Sequence, residues 1–65
     1  MTHGEVSVSR DGFYVGDKVE DCFGNCGHIV AIWNPGNSKY HICCVKYIGE
    51  GEVYAMVPEH NLTRI

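Results

Sequence analysis

The chain has 65 residues, 45% of them hydrophobic and 20% charged, and a net charge of −3. That length makes one domain, which removes only roughly 60% of its unfolded-chain surface from water, so self-association, a structural metal or disulfides are the expected supports. The hydrophobic content excludes a disordered chain, no apolar run reaches the roughly 18 residues of a membrane-spanning helix, and five scattered Lys plus Arg make a poor footprint for nucleic acid.

Residues 1–14 read as an N-terminal arm or an extra edge strand: Val6 and Val8 alternate with polar neighbours, and Asp11-Gly12 is a turn signal. A first core strand with its lead-in is expected over 13–22, where Val19 stands between Lys18 and Glu20 in half-buried alternation. Gly24 and Gly27 then stand where a tight reversal needs a positive φ or a close backbone approach, and 27–33 is the second strand. Residues 34–39, with Pro35 and Gly36 at turn-making spacing, form a loop. A third strand over 40–48, a reversal at Gly49-Glu50-Gly51 and a fourth strand over 52–57 follow. Pro58-Glu59-His60-Asn61 suits one 3₁₀ turn before a last short strand over 62–65.

Five short strands, close turns and a 3₁₀ element before the last strand give an all-β fold, a small bent barrel spanning 15–65. The motif Gly16-Asp17-Lys18-Val19, Phe23-Gly24, Gly27-x-Ile29-Val30-x-Ile32, with Val57-Pro58-Glu59-x-Asn61-Leu62-x-x-Ile65, resembles the SH3-like small barrels, including KOW-type modules and short bacterial and phage proteins built alike. The likeness covers about 50 of the 65 residues. The scaffold is also similar to that of the plasmid-encoded type II dihydrofolate reductases, whose tetramer builds a pore around a Val-Gln-Ile-Tyr segment. Here Tyr54-Ala55-Met56-Val57 occupies that place, so Ala55 replaces the pore Gln and Val57 the Tyr, while the first-strand lysine falls near Asp21 or Cys22. The resemblance therefore implies the scaffold and its habit of self-association, without the reductase site.

The segments 40–48 and 53–57 are apolar on both faces, whereas a strand with one wet face alternates. Three explanations compete: a β-bulge that re-aims part of a strand, apolar surface exposed without purpose, or a second face buried against a partner. Aromatic residues and Met are enriched in interface cores, which singles out Trp33, Tyr40, Tyr54 and Met56 as the candidate partner or oligomer surface. If Tyr54 and Met56 lie on the outer face, period-two geometry puts Val53, Ala55 and Val57 within. The parity of the 40–48 strand stays open.

Cys22-x-x-x-Cys26-x-His28 is the candidate metal cluster, with His41-x-Cys43 as a candidate completion. Against it, Cys22, Cys43 and Cys44 serve equally as small apolar strand residues. The start of the chain lacks a signal-peptide layout, so a cytoplasmic protein with reduced thiols is expected. Gly24-x-x-Gly27 leads into no helix that would cradle a phosphate, and no cysteine–histidine pair is assembled by spacing. The sequence thus points to a non-enzymatic, cofactor-free barrel that binds protein or itself, of the kind phages and mobile elements encode as accessory or inhibitor proteins. The alternatives are a KOW-like nucleic-acid or ribosome-associated module, with Phe13, Tyr14, Trp33 and Tyr47 to stack and Lys39 and Lys46 for phosphates, and a small-ligand binder whose site forms between subunits.

Overall fold

One long strand organises the molecule. In the computed structural model, which describes residues 4–36, 39–49 and 51–65, the strands are β1 (Gly4–Val6), β2 (Lys18–Glu20), β3 (Cys26–Asn34), β4 (Ile42–Tyr47), β5 (Val53–Pro58) and β6 (Thr63–Arg64). The 3₁₀ turn Glu59–Asn61 sits between β5 and β6, where Pro58 leads into it. Residues 1–3 of the arm, Asn37 and Ser38 of the expected loop, and Glu50 of the expected reversal lie outside the described residues.

All pairings are antiparallel, in the order β5-β4-β3-β2-β6, and β1 also pairs with β3. β2 takes the first half of β3, from Cys26 to His28, and β1 takes the second half, from Ile32 to Asn34. The fold is all-β as expected, with β1 as a sixth strand. Among the described strands the sheet stays open, since β5 and β6 at its ends do not pair.

The two hairpin glycines serve different ends. Gly24 has φ +86°, a conformation that side chains with a Cβ avoid. Gly27 has no such φ, but a Cβ there would lie 2.5 Å from the Lys46 carbonyl oxygen, so it lets β4 approach β3. Between them Asp21 fixes the turn: its carboxylate accepts from the Phe23 and Asn25 amides, each at 2.9 Å, and from the Tyr47 hydroxyl at 2.9 Å.

Register against β4 breaks once. Ile29 faces Val45, but Ala31 faces Cys44, which leaves Val30 as the extra residue of a bulge. The bulge therefore lies in β3, whereas β4 and β5 run in unbroken register from Ile42–Pro58 to Tyr47–Val53. It shifts the phase of β3, so that Ile29 and Ile32, three residues apart, both point inward. They join Phe13, Val19, Cys43, Val45 and Leu62 in the core, with Val6, Tyr47 and Val57 packed against it.

A carboxylate is buried at one end of this core. Glu59 is 1% exposed and accepts hydrogen bonds from the Asp11 amide at 2.8 Å, the His41 amide and the Ser9 hydroxyl. It thereby ties the 9–13 turn, the start of β4 and the 3₁₀ turn together. Burial opposes its ionisation, but the His41 amide, Ser9, the Asp11 amide and the His41 ring outweigh that and hold its pKa below the ordinary 4.5. A folded-state value below the unfolded one stabilises the protein above that pH, and the contribution is lost as pH falls through the lowered value. Glu59→Gln, which turns an NH₂ group toward donor amides, is expected to cost about 1–3 kcal/mol in denaturant unfolding at neutral pH. The gap between wild type and variant should narrow as pH falls below 4.5.

Candidate functional site

The ladder settles which side chains share a face, because residues directly opposite in antiparallel strands point the same way. Cys43 and Val45 of β4 are buried, so Ile42, Cys44 and Lys46 point outward. Opposite them stand Pro58, Met56 and Tyr54 of β5 on one side, and Trp33, Ala31 and His28 of β3 on the other. Three rows thus cross the outer face: Trp33–Ile42–Pro58, Ala31–Cys44–Met56 and His28–Lys46–Tyr54.

Two of these rows are wholly apolar, and their largest members are open to water. Trp33 is 44% exposed and Met56 60%, and Tyr54, which ends the third row, is 50% exposed. Of the four residues the sequence singles out, the structure gathers Trp33, Tyr54 and Met56 on this one face. Tyr40 lies ahead of β4, half-buried, with its ring edge-on to His60 at 4.8 Å. On β5, Ala55 and Val57 are half-buried on the inner side, while Val53 at the strand's start is 54% exposed.

Ile42, Cys44 and Ala31 complete the strip and were not legible as site residues. Their signal was the missing alternation in 40–48, which identifies an outer apolar set only once parity is known. The third row differs in kind. His28 faces Lys18 on β2 and Lys46 on β4, and the Lys46 ammonium lies 6.0 Å from the Tyr54 ring centroid and 3.9 Å from Glu52.

The candidate metal ligands fare differently. Cys22 is exposed in the turn before β3, Cys26 opens β3, and His28 sits between two lysines that oppose a cation. Among the described residues no group of three or more His, Cys, Asp or Glu is placed to hold a metal ion. The four cysteines are free thiols. At Cys43, burial first and the Glu59 charge second push the thiol up to about 11, so it stays protonated and a poor nucleophile at neutral pH.

Of the aromatics considered for base stacking, Phe13 is in the core. Tyr47 is half-buried and donates to Asp21, with burial first and that carboxylate second raising its pKa to about 12. Two clefts flank the end of the β4–β5 hairpin: one of about 380 Å³ bounded by Asp21, Cys26, Tyr47 and Val53, and one of about 310 Å³ bounded by His28, Lys46 and Glu52. Neither is centred on the apolar strip, which is a sheet face rather than a pocket. Among the described residues no helix is long and apolar enough to cross a membrane. Comparison with protein-family models, with characterised proteins and with solved structures finds no match to this chain.

Thiol chemistry checks this placement of the cysteines. Maleimide labelling of the native protein at neutral pH, read by mass spectrometry, should modify Cys22 first and leave Cys43 unlabelled until denaturant is added.

Proposed function

We propose that this protein is a non-enzymatic, SH3-like small barrel that binds protein, and a second copy of itself, through the outer face of β3, β4 and β5. The observation that carries the reading is the apolar strip of Trp33, Ile42, Cys44 and Met56, bordered by Tyr54, on a face whose reverse side already packs the core. With β4 and β5 free of bulges, no local re-aiming accounts for their apolar outer residues. A strip with exposed Trp and Met and a bordering Tyr has the composition of an interface centre. The SH3-like assignment is supported by the strand order and by the 3₁₀ turn ahead of the last strand. An acidic module of this kind suits an accessory or inhibitor role of the sort phages and mobile elements use.

A second reading, a KOW-like nucleic-acid module, draws on the Lys18–His28–Lys46 row that ends at Tyr54. Two lysines and a histidine provide few phosphate contacts for a chain of net charge −3, and Phe13 is withdrawn into the core. Protein binding is therefore the better supported.

Sedimentation equilibrium across a wide concentration range tests the proposal. The wild type should associate, and Tyr54→Asp or Met56→Lys should each weaken association by about tenfold or more while circular dichroism stays that of the folded sheet. A wild type that remains monomeric at the highest concentration would remove the self-association half of the reading.

A further inference from the structure

Hydrogen-bond parity decides which backbone groups of β5 are free. The Glu59 amide donates to the His41 carbonyl at 3.0 Å, and this pair continues the register in which Ile42 faces Pro58 and Cys43 faces Val57. In an antiparallel ladder, pairs that exchange hydrogen bonds alternate with pairs that do not. Cys43, Val45 and Tyr47 therefore bond to Val57, Ala55 and Val53, and the N–H and C=O groups of Tyr54 and Met56 point away from β4. The far side of β4 agrees. The Ile48 amide donates to the Cys26 carbonyl at 2.9 Å, which turns Lys46 toward β3 by the same alternation. Among the described residues β5 pairs with β4 alone, so the groups of Tyr54 and Met56 lie along an open edge.

Edge strands in soluble proteins are normally blunted by shortness, charge, an interior proline or a bulge. β1 and β6 are short, with three and two residues. β5 has six residues, Val-Tyr-Ala-Met-Val-Pro, carries no charge, keeps an unbroken register and has its proline only at the last position. Such an edge is a template for another strand.

Building on the self-association proposed above, we infer that β5 pairs antiparallel with β5 of a second copy, about a two-fold axis at Ala55 that sets Tyr54 of each copy opposite Met56 of the other. A two-fold perpendicular to the sheet keeps outer face beside outer face, so only registers that match like parity are open to it. Centring on Ala55 lets Tyr54 and Met56 exchange both of their free hydrogen bonds. Centring on Tyr54 would instead set Glu52 of one copy against Met56 of the other, and centring on Met56 would set Tyr54 against Pro58, which has no N–H to give. The chosen register also places the Met56 thioether beside a Tyr54 ring, a favourable contact, and Val53 beside Val57. An uncharged, self-complementary edge fits a second copy better than a charged peptide. Pairing would join the two apolar strips into one continuous surface.

The experiment is amide hydrogen exchange by NMR on the full chain, at dilute and at high concentration. In the single copy the Tyr54 and Met56 amides are open. They should exchange about tenfold more slowly at a concentration where only a tenth of the chain is monomeric. Association without protection at Tyr54 and Met56 would overturn edge pairing and leave stacking of the outer faces as the mode of self-association. A chain that stays monomeric throughout would overturn edge pairing and self-association together.

Discussion

The bulge at Val30 is the constraint on which the two faces of this sheet depend. A β-strand alternates strictly, so without an extra residue Ile29 and Ile32 would point to opposite sides. With Val30 inserted, β3 presents Ile29 to the core in its first half and Ile32 in its second, while Ala31 and Trp33 turn outward. The long strand is thereby able to serve β2 along one half and β1 along the other, and to bend between them. Everything proposed for the outer face follows from that phase shift, because it sets Trp33 in the same row as Ile42 and Pro58.

Polar groups then fix the ends of the sheet. Asp21 holds the β2–β3 turn and reaches across to Tyr47 of β4, so the turn is anchored to the hairpin that follows it. Glu59 does the same at the opposite end, joining the 9–13 turn to His41 and to the 3₁₀ turn. Arg64 adds a bridge from β6 to Asp17 at 3.1 Å and to the Gly12 carbonyl at 2.7 Å, with its guanidinium over the Phe13 ring. None of these contacts touches the free side of β5. The molecule is tied together along its arm and turns, and among the described residues β5 keeps a long open edge.

Much of this was legible in the residues. Gly24 and Gly27 mark the reversal for the two reasons glycine is used, and Pro58 announces the 3₁₀ turn. Alternation alone could set Tyr54 and Met56 on one face and Val53, Ala55 and Val57 on the other, with no polar residue among them to mark which face is wet. The parity of 40–48 could not be set, because Ile42, Cys43, Cys44 and Val45 are all apolar and only pairing with β3 and β5 tells the buried pair from the outer pair. The bulge carries no residue signature, since Val30 is as good a strand residue as its neighbours. The burial of Glu59 was not legible, because its donors are supplied from positions remote in the chain, Ser9, Asp11 and His41, which local pattern does not connect. The free backbone of β5 is likewise a property of sheet order rather than of any residue.

Taken together, a core filled from one side, an apolar strip on the other and an unblunted edge describe a sheet that finishes burying itself against a partner. The Met56 methyl group sits where strip and edge meet, and its NMR signal on dilution tests that account most directly. This resonance should shift or broaden as concentration rises while the core methyls of Ile29 and Val45 hold still. A Met56 methyl unchanged from the lowest to the highest concentration would contradict it.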